Sequence, residues 1–153
     1  MPFTGQADAV IDAKQRLALP AKFRAKWNPA SDGVTWMALP WVPDKTLRIY
    51  TERMFEELFR AGRASPSLFA SGDEARLEQA VFSATERLEV DQNHRVRVPA
   101  WQIEKLGLPR EVVVIGAGDR LEVHPRNRWH GGFDAMLGEI GRLAERRNRG
   151  DER

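Results

Sequence analysis

Cysteine is absent from the 153 residues, which removes disulfides, thiolate nucleophiles and thiolate metal ligands together. Histidine is scarce: His94, His124 and His130 are all there are, and none has a second histidine at the spacing that sets two ligands on one helix face. No apolar run nears the ~20 residues of a membrane-spanning helix. The opening Met1-Pro2-Phe3-Thr4-Gly5-Gln6 lacks the basic-then-apolar order of a secretory leader. Catalytic signatures are missing too. Asp91 and His94 would make an acid–base pair, but no nucleophile or oxyanion motif accompanies them. Gly116-Ala117-Gly118 is not followed by the Lys-Ser/Thr of a phosphate loop. These absences point away from an enzyme, a metal, a cofactor, a small-molecule substrate and a membrane, and toward a cytoplasmic protein.

What is present is enough to fold, since 42% of the residues are hydrophobic, within the globular range. The formal charge of +2 is unevenly placed. From Arg142 onward five arginines face three acids, so the tail carries the whole excess and any anionic partner must be sought in local clusters.

One short block occurs twice in register. Ile11-Asp12-Ala13-Lys14-Gln15-Arg16-Leu17-Ala18-Leu19-Pro20-Ala21 matches Val90-Asp91-Gln92-Asn93-His94-Arg95-Val96-Arg97-Val98-Pro99-Ala100, 79 residues later and without a gap. A lone Asp-x-x-x-Arg carries little information; two with the same downstream Pro-Ala indicate two copies of one unit, each with an acid and a base flanking a tight loop.

Each copy reads as strand, loop, short strand, short helix, strand, strand, helix. In the first, strands are expected over Ala7 to Ile11, Leu17 to Leu19, Val34 to Leu39 and Leu47 to Tyr50. Pro20 suits the start of a helix from Ala21 to Trp27, and Asn28-Pro29 and Ser31-Asp32-Gly33 break the chain. A helix buries Met54, Phe55, Leu58 and Phe59. In the second copy the strands are Arg87 to Val90, Val96 to Val98, Glu111 to Ile115 and Arg120 to Val123, with a helix from Trp101 to Leu106. The first copy carries five extra residues around Pro40-Trp41-Val42-Pro43. Between the copies, Ser71-Gly72-Asp73-Glu74 fits a capping box ahead of Leu77, Ala80, Val81 and Ala84, and Gly62 to Gly72 reads as the flexible stretch. A final helix uses Trp129, Phe133, Met136, Leu137 and Ile140. Trp27, Trp101 and Trp129 are expected in the core, and Trp41 at a subunit contact.

Three-residue strands cannot stabilise one unit alone. Two copies with interleaved hairpins about a pseudo-two-fold axis would share one core. The expected fold is therefore α+β, a small β-barrel of two repeats with peripheral helices. Its divisions are 1–62 (first repeat), 63–84 (connection), 85–143 (second repeat) and 144–153 (basic tail).

Phe3-x-Gly5, Asp12 to Arg16, Pro20-Ala-Lys-Phe-Arg24 and the second motif Asp91 to Arg95 resemble the MraZ family, of the AbrB-like swapped-hairpin DNA-binding proteins. The match covers roughly Met1 through Trp129. The resemblance implies two AbrB-like repeats and a bacterial, nucleoid-associated transcriptional regulator. It also implies ring-forming homo-oligomers and recognition of repeated short promoter boxes on double-stranded DNA, often in a division and cell-wall gene cluster. The family usually carries Gly immediately before the motif Arg, where this chain has Gln15 and His94; a positive φ there costs these residues more than glycine.

The candidate DNA-contacting residues follow the two loops. Arg16 and Arg95 lead, because a guanidinium fork can bond guanine or clamp a phosphate. Asp12 and Asp91 would hold the loops or orient the arginines, and the bland alternative is a solvated salt bridge worth about 0–1 kcal/mol. Lys14, Lys22 and Arg24, with Lys26, make Asp8 to Lys26 a +3 segment, so the first copy is the stronger phosphate-facing element. Lys22 and Lys26 fit equally well as the polar face of a helix. Asn93, His94 and Arg97 complete the second loop, Arg97 as a phosphate contact or an ordinary edge charge. The alternative function is an antitoxin-like interaction module that has lost specific DNA binding.

Overall fold

The computed structural model describes residues 2–61 and 71–151. In chain order the first half contributes β1 (Gln6–Val10), β2 (Arg16–Ala18), α1 (Ala21–Arg24), α2 (Pro29–Asp32), β3 (Thr35–Trp41), β4 (Thr46–Thr51) and α3 (Glu52–Ala61). The second contributes α4 (Gly72–Ala84), β5 (Glu86–Glu89), β6 (Arg95–Arg97), α5 (Ala100–Leu106), β7 (Glu111–Gly116), β8 (Leu121–Pro125), α6 (Arg126–Gly138) and α7 (Ile140–Asp151). The fold is α+β. The expected flexible stretch lies outside the described residues except for Ser71 and Gly72; Ser71 caps α4, its Oγ accepting from the Glu74 N–H at 3.1 Å.

All strand pairs are antiparallel. Six strands form one sheet in the order β1-β7-β8-β4-β3-β5, and β2 with β6 forms a separate two-stranded ribbon. Strands pair across the halves: β1 with β7, β4 with β8, and β2 with β6. Exchanging β1 with β5, β3 with β7 and β4 with β8 reads the six-strand order backwards onto itself.

Among the described residues the strands do not close into the small β-barrel expected from the sequence. β1 and β5 end the sheet, and only single bridges, Ile11↔Leu17 and Val90↔Val96, tie it to the ribbon. The reason is local. Each three-residue strand leaves a tight loop and spends its ladder on the equivalent strand of the other half, so one bridge is all it can give the strand before it.

One apolar cluster joins sheet and ribbon. Leu17 and Val96 face each other at the ribbon centre and are fully buried, against Trp36, Leu47, Ile49, Val112, Val114, Leu121 and Val123. Period-2 alternation explains the choice: Leu47 and Ile49 point inward while Arg48 between them stays half-exposed.

The tryptophans are distributed differently from the expectation. Trp36 is the fully buried one, with Trp27 half-buried against it at 5.5 Å between ring centroids. Trp101 is 42% exposed. The inward position on α5 belongs to Gln102, whose Nε2 donates to the carbonyls of Ala38 (3.1 Å) and Ala84 (3.0 Å). Trp129 is half-buried between His124 and Phe133. Trp41 lies under the Arg48 guanidinium, 3.8 Å from the ring centroid.

Helices cover the sheet. Phe55 of α3 packs on Tyr50, and Phe55 and Phe59 meet Phe82 of α4 edge-on. α6 is seated on β1 by Arg126 on the Ala9 carbonyl (2.7 Å), His130 on Asp8 (2.8 Å) and Trp129 on Gln6 (2.8 Å). The single final helix of the sequence reading divides at Glu139, and the basic segment continues as α7. The helix expected to Trp27 ends as α1 at Arg24, and Pro29–Asp32, expected as a break, makes one helical turn capped by Asn28.

Candidate nucleic-acid interface

The two loops have the same hydrogen-bonded geometry. In the first, the Asp12 N–H donates to the Arg16 carbonyl (3.0 Å) and the Gln15 N–H to the Asp12 carbonyl (2.9 Å); in the second, the corresponding bonds are Asp91 to Arg95 (2.9 Å) and His94 to Asp91 (3.0 Å). Carboxylates complete each turn. Asp12 Oδ1 accepts from the Lys14 and Arg16 N–H groups, both at 2.9 Å. Asp91 Oδ1 accepts from Asn93 at 2.8 Å and Arg95 at 3.0 Å. This is the Asx-type bonding that lets aspartate organise its own turn.

The second carboxylate oxygens orient the arginines. Arg16 Nε donates to Asp12 Oδ2 at 2.7 Å, and Arg95 Nε to Asp91 Oδ2 at 2.9 Å. Among the described residues, no hydrogen bond occupies the terminal nitrogens of either guanidinium. Their side chains are 29% and 27% exposed, so they are held without being buried. Both aspartates have a pKa below the ordinary value. For Asp12 the Arg16 N–H is the largest cause, for Asp91 the Arg95 N–H, and burial opposes the shift in each.

Gln15 and His94 stand at φ 66° and 60°, so both occupy the left-handed region where glycine is usual. Their carbonyls then cross to the other half: Val98 N–H donates to Gln15 (2.8 Å), and Leu19 N–H to His94 (2.9 Å). The loops are thus locked to one another as well as internally.

The ribbon brings the arginines together. Arg16 is the ladder partner of Arg97, and Ala18 of Arg95. Leu17 and Val96 point into the core, so alternation puts Arg16, Ala18, Arg95 and Arg97 on the outer face. Like charges directly opposed on a ladder are unfavourable. Arg16 and Arg95 are relieved by their aspartates; Arg97 makes no ion pair among the described residues. Two of the three arginine charges are thus balanced by aspartates and that of Arg97 is not.

The other sequence candidates are placed less uniformly. Lys14 and Asn93 are exposed at the loop tips, with His94 beside them. His94, Ala21, Arg24, Ala25 and Trp27 line a shallow open depression of about 350 Å³. Arg24 Nε donates to the Leu19 carbonyl (3.0 Å). Lys22 and Lys26 turn to the N-terminal segment: Lys22 Nζ donates to the Gln6 carbonyl (2.6 Å), Lys26 Nζ to Pro2 and Thr4 (3.1 and 3.2 Å). Gln15 was not among the expected contacts. The signal was its alignment with His94 in the doubled block. Among the described residues no group of three or more His, Cys, Asp or Glu is placed to hold a metal ion, and no helix is long and apolar enough to cross a membrane.

Comparison with known proteins bears on this geometry. A transcriptional regulator MraZ of Heliobacterium modesticaldum is 34% identical over 127 residues, 83% of each chain. The chain belongs to the MraZ family. A relative of the same name from Clavibacter michiganensis subsp. michiganensis is 34% identical over 128 residues, again 83% of each chain. That of Chlorobium luteolum is 28% identical over 150 residues, 94% of this chain and 97% of the relative. The MraZ family model, described as "MraZ protein, putative antitoxin-like", matches residues 81–139, from the end of α4 to the end of α6, including the second loop and β6.

Proposed function

We propose that this chain is a sequence-specific DNA-binding transcriptional regulator that lays the outer face of the β2–β6 ribbon against duplex DNA. One observation carries the reading: Arg16, Arg95 and Arg97 share that face, two of them aimed by aspartates through Nε. A ribbon of two antiparallel strands fits the major groove, and arginine terminal nitrogens match guanine O6/N7 or phosphate oxygens. Lys14, Asn93, His94 and Arg24 flank the contact, while Lys22 and Lys26 serve first to hold the N-terminal segment. The names of the relatives, transcriptional regulator MraZ, support the same class.

The two halves are read as AbrB-like repeats, a reading supported by the cross-paired strand order. One ribbon is a small site. A homo-oligomer, as a ring, would engage several closely spaced promoter boxes and gain effective concentration without new contacts. The proposed setting is the cytoplasm, on the nucleoid, at promoters of division and cell-wall genes.

The test is binding to the DNA upstream of the protein's own gene across a salt series. Affinity should fall steeply with salt, and Arg16→Ala with Arg95→Ala should abolish the specific shift. Absence of salt-sensitive affinity for any duplex refutes the proposal. Co-purification of a stoichiometric protein in that case would favour an antitoxin-like interaction role, in keeping with the words of the family description.

A further inference from the structure

The C-terminal arm stands clear of the body. α6 is seated by its first turns, through Arg126, Trp129 and His130. The seat lies on the sheet face away from the ribbon: Val123 points into the shared core, so alternation turns His124, on which Trp129 stacks, to the opposite face. Beyond Phe133 the chain leaves the sheet. Every residue from Asp134 to Gly150 is exposed, across the end of α6 and along α7.

This arm is two-sided. Met136, Leu137, Ile140 and Leu143 recur at the three- and four-residue spacing that lines up one side of a helix, and they are 39–60% exposed. The stripe continues the side on which Trp129 and Phe133 pack together. At its far end the charge is positive. Arg147 falls on the line of Ile140 and Leu143, and Arg146 borders it. Neither makes an ion pair among the described residues, whereas Arg142 is held by Glu139 at 2.7 Å. A covering partner must therefore be apolar along the stripe and anionic where the stripe ends. Duplex DNA offers the anion without the apolar surface. The boundary between acyl chains and phosphate headgroups offers both in one plane, and arginine stems reach along such a boundary to the phosphates. The absence of a membrane-spanning helix among the described residues does not bear on this, since a helix lying in the interface needs only one apolar side.

We infer that the α6–α7 arm docks the protein on anionic lipid membranes, with Met136, Leu137, Ile140 and Leu143 against the acyl chains and Arg146 and Arg147 on the phosphates. This goes beyond the DNA-binding reading and does not depend on it, because the arginine face of the ribbon lies across the core from the seat of α6.

The experiment is flotation of the full-length protein with vesicles of phosphatidylcholine alone, or with phosphatidylglycerol added, over a salt series. The protein should float with the anionic vesicles at low salt, be released as salt screens the surface, and be little retained by phosphatidylcholine alone. Arg146→Gln with Arg147→Gln should weaken binding to the anionic vesicles roughly 30-fold, about fivefold for each arginine at the surface. Ile140→Asp with Leu143→Asp should abolish it. All four positions are exposed, so both variants should melt with the wild type and keep its affinity for promoter DNA. No flotation at low salt, or flotation that both variants leave unchanged, overturns the inference. If the protein does not float and the aspartate variant instead abolishes self-association, a second copy covers the stripe and the inference is overturned. It is overturned too if the protein does not float and the glutamine variant loses DNA affinity. Flotation by a protein without salt-dependent affinity for any duplex upholds it while refuting the DNA-binding reading.

Discussion

Replacing the two left-handed residues by glycine should stabilise the protein relative to alanine, and the size of the effect follows from the backbone. At φ 66° and 60°, Gln15 and His94 carry the Cβ–carbonyl crowding that costs an L-residue about 1–2 kcal/mol. Glycine removes this but adds unfolded-state entropy worth about 0.4–1 kcal/mol. Alanine keeps the crowding and removes the side chain beyond Cβ, so Gly against Ala isolates the conformation from any contact of the longer side chain. The difference should favour glycine by about 0.5–1 kcal/mol at each site. The double glycine variant should melt roughly 2–8 °C above the double alanine variant, taking about 2–4 °C per kcal/mol for a chain of this size. Urea unfolding followed by tryptophan fluorescence would give the difference from the midpoint at constant slope. Ala18→Gly in β2 is the counter-case: its φ is not positive, so glycine should cost about 0.5–1 kcal/mol. If both glycine variants are no more stable than their alanine counterparts, the left-handed turns are not what the protein adopts, and the two loops do not share this geometry.

Three further outcomes follow from packing and titration. Leu17→Ala, at the fully buried ribbon centre, should cost about 2–5 kcal/mol in urea unfolding and weaken DNA binding by loosening the arginine face. Trp36→Ala should cost about 3–5 kcal/mol, while Trp101→Ala, at 42% exposure, should cost clearly less; equal losses would contradict the assignment of Gln102 as the inward residue of α5. Asp12 and Asp91 both have lowered folded-state pKa values, so the unfolded chain binds their protons more readily and stability rises with pH through their titration. Their contribution is present above the unfolded carboxylate value of about 3.9 and is lost as pH falls through the lower folded values. Thermal unfolding between pH 6 and pH 2 should show a shallower pH dependence in the Asp12→Asn, Asp91→Asn variant than in the wild type.

The loops were legible in the sequence because the bonds that close each turn are local. An aspartate closing its own turn two and four residues on needs no knowledge of the rest of the chain, and duplication repeated the message. Strand order was harder. β1 lies beside β7 and β5 beside β3, pairings whose partners are separated by tens of residues and recorded by no local pattern. The expected burial of Trp101 failed for a related reason. Trp101 has apolar neighbours in sequence, but the turn of α5 sends Gln102 inward, where two backbone carbonyls from different elements make a polar side chain acceptable. Lys22 and Lys26 fitted a phosphate contact and the polar face of a helix equally well; the N-terminal carbonyls that they bond, at Gln6 and Pro2, are invisible in a charge count. The barrel was expected because two marginal units need a shared core, and the shared core is present; among the described residues, single bridges alone tie β2 and β6 to the sheet.

Cross-pairing also bears on what happens when synthesis stops early. A nascent first half has no partner for β1 or β2, and an isolated second half leaves β6 and β7 without theirs. Each fragment would expose raw strand edges, the surfaces that recruit other chains into aggregates. The arginine face therefore needs strands from both halves before it can form.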